Sequence, residues 1–376
     1  MEPIHTKMKA NINLRIITII TAATIGSGMF AIPYIIQTAG WFVTLAYFVA
    51  LGAVISLAHI LYLRTLDAVH EKERLLGLAR HYFGISGFWI GFFAIVLGFL
   101  LSLVAYLVLG AQFIHVISPH ISLLTATFMF WLIIIAITFW SGSRAASLEM
   151  VGVALITCAI IFTFASGHPL GAFTFTPIVN ARNILLPFGA VIFSLAGWTS
   201  VEQVYEIRRR KEHPGGALHL FIFGAAFAGA LYWLFALGVL GSSQNVAIDT
   251  ISGVGGWPIW KKDILAAIGL LAISVVSIPL VRELRGALEK DLHWNSFVSR
   301  LVIVGVPLIV VLSGFNNFLI IIGLAGGIFI STEYLLIIAV GRRVLSISAR
   351  EKILLDGLAI IFVCAAVYEI ITFVVK

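Results

Sequence analysis

Residues 23–34 read ATIGSGMFAIPY, inside an apolar run that opens near Ile16 and continues past Ile36. A run of that length can cross a bilayer, which takes about 20 mostly apolar residues. Yet Gly26, Ser27 and Gly28 sit near its middle, and Pro33 follows. Non-helical backbone at membrane depth survives only where it is buried in protein or lines a cavity. Two readings stand. In one, the helix is broken here. Bare glycine lets a ligand approach the backbone, the N–H groups that open the second half-helix suit a carboxylate, and the carbonyls that close the first suit an ammonium or a small cation. In the other, the glycines serve helix packing and the proline a kink.

The rest of the 376-residue chain fits a membrane. It is 61% hydrophobic and 11% charged, with a mean hydropathy of +1.08, whereas soluble domains carry about 25% charged residues. Lys7, Lys9 and Arg15 precede the first apolar segment as in a signal peptide, but that segment is too long for one and such segments recur to the end. Spans are expected near 14–38, 41–63, 86–117, 122–139, 148–166, 184–206, 215–241, 263–282, 297–313, 316–340 and 352–375. With the N-terminus in the cytoplasm, only Arg182, Lys261, Lys262 and Lys376 of the 24 Lys and Arg fall outside. That is a strong positive-inside asymmetry, and it places the C-terminus externally. The net charge of +7 therefore reflects topology, and no nucleic acid is expected as a partner. Cys158 and Cys364 fall in apolar spans and read as buried, inert thiols. The inner segment 64–85 reads as an amphipathic interfacial helix, and 167–183 and 242–262 as outer loops. The whole is one transmembrane domain over 1–376.

A second weak point lies five spans on. The sixth span reads LLPFGAVIFSLAGWTSVEQVYE, with small or polar residues from Ser194 to Ser200 around Gly197. Paired broken helices in matching positions are the mark of inverted-repeat transporters. Spans 1–5 are odd in number, so spans 6–10 start from the opposite side, as inversion requires. The repeats are 14–166 and 184–340, with 352–375 as an extra helix.

IGSGMFAIPYIIQTAGW resembles the first helix of the amino acid–polyamine–organocation superfamily, and within it the amino acid/auxin permease branch that includes hydroxy and aromatic amino acid permeases. YLRTLDAVHEKERLLGLARHYFG and SVVSIPLVRELRGALEKDL agree. The sixth helix departs at Glu202, where many relatives carry a proline after the glycine. The resemblance implies an all-α, LeuT-like fold of eleven helices, with the substrate between broken helices 1 and 6, against 3, 8 and 10. It implies that amides around Gly26, Ser27 and Gly28 hold the substrate carboxylate. Carbonyls near Thr24 and from Phe193 through Ser194 to Ala196 would hold its amino group.

No charge lies near that site in the first, third and central sixth spans. The expected lining of Met29, Tyr106, Phe193, Leu195 and Trp198, beside Gly197, is apolar and aromatic, which suits a neutral and large amino acid. Each aromatic has packing as its alternative role. Coupling has two candidates, Na+ and H+. Ser274 and Ser277 share a helix face. The resemblance sets them opposite the Ala22 and Ile25 carbonyls, where relatives hold sodium; the alternative is that the hydroxyls bond their own helix. For protons, relatives' fifth-helix lysine is absent, and the intramembrane acids Glu202 and Glu333 are the candidates, as carriers or inner gate. Each has the alternative of snorkelling to Arg208 or Arg342. Glu149 and Glu369 lie nearer span ends.

The expected function is secondary active transport of neutral, large or aromatic amino acids across the cell membrane by alternating access, with lipid and a small-molecule amino acid as partners and no obligatory protein partner. An amino-acid sensor on the same scaffold is the alternative. A metal-ion transporter of this fold would place acids in the first break, and ATIGSGMF has none. His70, His81, His120, His168, His213 and His293 lie at loops or ends, and HExxH and GxSxG are absent, which argues against an enzyme.

Overall fold

The computed structural model describes residues 13, 15–69, 74–140, 145–167, 171–211, 218–243, 245–254 and 256–375. Lys7, Lys9, His70, Lys72, Arg144, His168, His213 and Lys376 lie outside these residues, as do the side chains of Glu149 and Lys211.

Every regular element of the described chain is a helix. In order come α1 (Arg15–Thr24), α2 (Ser27–Ala39), α3 (Trp41–Val69), α4 (Leu75–Ile117), α5 (Leu123–Phe139), α6 (Ala145–Ser166), α7 (Pro187–Leu195), α8 (Thr199–Lys211), α9 (Leu218–Leu240), α10 (Ile259–Asp291), α11 (Ser296–Leu312), α12 (Phe318–Val344) and α13 (Ala349–Val375). Six described helices are long and apolar enough to cross a membrane alone. A seventh span is the bent pair α1–α2. Among the expected spans, 122–139, 148–166 and 297–313 correspond to shorter apolar helices, and 184–206 is split between α7 and α8.

In the charged segment after α3, residues 75–83 form a helix of their own, set off from the third span by a sharp kink at Gly84 with φ 62° and ψ −145°. Glycine adopts that left-handed φ without a Cβ clash. The cysteines depart from expectation. Cys158 and Cys364 are both exposed, near exposed large apolar residues such as Ile161 and Val363 on the same helices. In a bilayer that face meets lipid, which is as apolar as a protein core and tolerates a thiol equally well.

The core lies where the broken helices meet their neighbours. Pro33 stands in the first turn of the regular helix from Ile32, where a missing N–H costs nothing. Pro187 opens α7 in the same way. Gly40, at φ 108°, turns the chain from α2 into α3 against Ile178. The turn is pinned from the loop ahead of α7, where Trp41 and Phe42 N–H groups donate to Pro177 and Ile178 carbonyls. The π-helical stretch 325–330 of α12 packs on α7. There Gly326 faces the Gly189 carbonyl so closely that a Cβ has no room.

Candidate functional site

At the first break the helix bends by 50°. Gly26 is extended, with φ −146° and ψ −160°, and Ser27–Ala31 restart as a 3-10 turn. At the second, Ala196 is extended with φ −60° and ψ 141° before α8 begins at Thr199. The breaks lie side by side. A Cβ on Gly28 would collide with Ser194 Oγ and come within 3.0 Å of the Ser194 Cα, and a Cβ on Gly197 would stand 3.0 Å from Thr24 Oγ1. The two readings of the first break are therefore both realised: the backbone is unwound, and Gly28 and Gly197 are bare because the breaks touch.

Tyr232 of α9 ties them together. Its hydroxyl accepts from Gly26 N–H at 3.1 Å and lies 2.8 Å from the Thr24 carbonyl and 3.0 Å from the Ser194 carbonyl, between which it shares its proton. The Gly26 amide expected to meet a carboxylate is thus occupied. The Ser27 and Gly28 amides precede the first bond of the 3-10 turn, Met29 N–H to Gly26 O at 3.5 Å, and helix starts leave such amides without a partner in their own helix. Buried Ser27 turns its amide and its hydroxyl toward the Tyr106 hydroxyl.

A cavity of about 630 Å³ adjoins the breaks. Ala22, Thr24, Ile25, Gly26, Gly28, Tyr106, Phe193, Ser194, Ala196, Gly197, Trp198 and Glu333, all named from sequence, line it. Others do not. Met29 and Leu195 are packed into the core, 0% and 2% exposed, because their helix faces point away from the opening. Ser27 is fully buried behind the break. Ser274 and Ser277 lie outside the lining. Each donates to its own helix, to Leu270 and Ile273 carbonyls at 2.7 Å, while Val276, Pro279, Leu280 and Glu283 present the cavity face of α10.

The acids also differ from expectation. Glu202 is away from the lining and does not reach Arg208, which pairs with Asp67 at 3.2 Å. It accepts from the Tyr62 hydroxyl at 2.8 Å and pairs with Arg74 at 3.5 Å. Arg74 also holds Glu283 at 3.1 Å, and its guanidinium fits against Gly286, where a Cβ would meet it at 2.6 Å. Burial opposes the charge on Arg74, but Glu283 and Glu202 outweigh it and raise its pKa. Glu333 is 1% exposed and accepts from the Trp198 indole N–H at 2.5 Å; Arg342 instead pairs with Asp356.

The two ends of the cavity are unlike. Toward one end, Arg15, Gln203 and Glu283 line the opening. Toward the other, Phe30 packs edge-on against Phe113 and Phe235 at centroid distances of 5.0 and 5.5 Å. The Thr250 hydroxyl donates to the Phe30 carbonyl, and Gln37 accepts from Val246 N–H at 3.1 Å. The cavity thus has polar side chains at its mouth and packed aromatic rings beyond its far end.

Tyr232, Arg74, Glu283 and the buried pair His59–Tyr334, whose ring nitrogen and hydroxyl are 2.9 Å apart, were not singled out from sequence. A signal existed for each class: a tyrosine or an ionisable residue at membrane depth must find a partner. Among the described residues no cluster of His, Cys, Asp and Glu is suited to a metal ion.

Residues 9–256 match the tryptophan/tyrosine permease family. Among solved structures, MhsT, crystallised with L-phenylalanine, is similar with a TM-score of 0.64 and 12% identity, over 95% of this chain and 97% of that one. A manganese transporter of Eremococcus coleocola, in complex with an aromatic bis-isothiourea substituted compound, gives 0.52 and 12%, over 95% and 93%. These likenesses concern the fold, which is LeuT-like. A search of curated proteins finds no match. The chain belongs to the tryptophan/tyrosine permease family and is a multi-pass membrane transporter, not an enzyme.

Proposed function

We propose that this permease is a secondary active transporter of aromatic amino acids, moving its substrate across the cell membrane by alternating access. The observation that carries the reading is a cavity set against two helix breaks, sealed at one end and lined by polar side chains at the other. Its volume falls within the range of small-molecule sites, about 300–1,000 Å³. The family and the phenylalanine bound to MhsT agree with the substrate class.

In this reading the chain crosses eleven times. It forms inverted repeats over 14–166 and 184–340 with an added helix at 352–375, and its N-terminus is cytoplasmic and its C-terminus external. The mouth at Arg15 and Glu283 then faces the cytoplasm. The Ser27 and Gly28 amides receive the substrate carboxylate, carbonyls of the breaks receive its ammonium group, and Phe99, Tyr106, Phe193 and Trp198 enclose its ring. Arg74 with Glu202, Glu283 and Tyr62 forms the inner gate. A sodium or a proton gradient drives the cycle, with Ala22, Ile25, Ser274 and Ser277 serving a sodium ion or Glu333 a proton.

The test is the melting temperature of the purified protein with each common amino acid, in sodium and in choline buffer. Ligand that binds only the folded state raises it by mass action. Shifts confined to aromatic amino acids support the reading, and a larger shift in sodium identifies that ion. Uptake into sealed vesicles then separates a transporter from a sensor. A flat panel in both buffers overturns the substrate class.

A further inference from the structure

Glu333 is an acid buried to 1% exposure that nonetheless lines the cavity. Its partner is neutral, the indole N–H of Trp198 at 2.5 Å. Arg342, further along the same helix, is held by Asp356, so it does not answer the carboxyl. The protein thus keeps a buried acceptor in its binding cavity and satisfies it with an indole of its own.

The surroundings suit a flat ring. Trp198 lies nearly parallel to Phe99, with centroids 6.2 Å apart and planes at 24°, and meets Tyr62 edge-on at 6.2 Å. Gly98 contributes no side chain to the same wall, and a Cβ there would stand 3.3 Å from Glu333 Oε1. Trp198 itself hangs from the second break, directly after extended Ala196 and bare Gly197. It is therefore carried on irregular backbone and not in the middle of a helix. Gly26 and Gly28 line the same cavity, so one ligand can meet the first break with its backbone and this wall with its ring.

Building on the aromatic-substrate reading, we propose that Glu333 is the specificity-determining acceptor for the ring N–H or O–H of the substrate, a place that Trp198 fills while the cavity is empty. A substrate indole or phenol takes over the hydrogen bond and releases Trp198. A ring without a donor leaves the acceptor to Trp198 or leaves it bare. Buried acceptors left unmatched are costly, and sites built around a hydrogen bond discriminate sharply against analogues lacking the donor.

The test compares tryptophan with 3-benzothienylalanine, a ring of nearly the same shape with sulfur in place of the N–H. Dissociation constants are measured on the purified full-length protein, for wild type, Glu333→Gln and Glu333→Leu. Tryptophan is expected to bind wild type about tenfold or more tightly than the analogue, as befits a hydrogen bond to a carboxyl group. The ratio should fall toward one in Glu333→Leu and recover in part in Glu333→Gln, whose amide oxygen still accepts. Equal binding of the two ligands by wild type overturns the proposal while leaving the aromatic substrate intact. So does a ratio unchanged in Glu333→Leu. If no aromatic amino acid binds wild type, the substrate reading falls and this proposal with it. Should Glu333→Leu fail to fold, the wild-type ratio still decides.

Discussion

At the first break Gly26 is extended, the chain restarts as a 3-10 turn, and the Ser27 and Gly28 amides precede its first internal bond. At the second, Ser200 folds back on the break. Both its N–H and its hydroxyl donate to the Gly197 carbonyl, at 2.9 and 2.6 Å. Each break thus opens with a glycine carbonyl taken by the N–H three residues on. The second adds the Ser200 hydroxyl to that carbonyl and bears Trp198, with Glu333 as its anchor. In the proposed reading the two unwound stretches divide the work: one offers backbone groups to a polar ligand end, and the other positions a ring and an acceptor. Tyr232 sits between them and touches both.

The sharpest way to break this division is Gly28→Ala. The new Cβ would overlap Ser194 Oγ and crowd the Ser194 Cα and Cβ at 3.0 Å. Backbone cannot yield as a flexible side-chain tip can, so the breaks must separate. A destabilisation of about 1–3 kcal/mol is expected for such overpacking, together with loss of the ligand-induced rise in melting temperature. Gly26→Ala is the matched control, since its Cβ meets only the Tyr106 hydroxyl, at 3.3 Å. Adding Ser194→Gly to Gly28→Ala should restore part of the loss, because neighbours in contact are not additive. Additive behaviour would mean that Gly28 matters for some reason other than contact with Ser194.

How much of this was legible beforehand follows from the same asymmetry. The first break announces itself with two glycines and a proline inside an apolar run, so Thr24, Gly26 and Gly28 could be placed on the cavity from sequence. The second has a single glycine and was visible mainly by its spacing from the first; Gly197 and Trp198, expected there, line the same cavity. Sequence could not tell which helix face looks inward where every face is apolar. Met29 and Leu195 were therefore expected on the cavity wall and lie in the core. Partners distant in the chain were equally hidden. Snorkelling to Arg208 was the alternative open to Glu202 on proximity, yet the fold delivers Arg74 from the segment after α3. Nor could sequence reveal that Gly26 N–H is taken by a tyrosine 206 residues away.

Tyr232→Phe tests whether the breaks are held together or merely adjacent. It removes only an oxygen, so packing of the ring against Phe48 is kept. The Gly26 N–H loses its acceptor, and the Thr24 and Ser194 carbonyls lose a shared donor. A cost of about 1–3 kcal/mol is expected for leaving such groups unmatched in a dry interior, read as a lower melting temperature without ligand. A carboxylate ligand can then recruit the freed Gly26 amide, so the ligand-induced rise should be larger in this variant than in wild type. If the rise is smaller instead, the tyrosine hydroxyl is itself a ligand contact and not a clamp on the empty site.

Ser200→Ala makes the smallest change. It deletes the hydroxyl bond to the Gly197 carbonyl but leaves the backbone bond from the Ser200 N–H in place. The carbonyl stays matched, so the net loss should be about 1 kcal/mol, the value of one ordinary hydrogen bond. The informative readout is elsewhere. If the second break serves to position Trp198, loosening it should weaken binding of ligands with a ring while affecting glycine or alanine little. If all ligands weaken together, the second break contributes backbone groups to the ligand as the first does, and the two would not differ in kind.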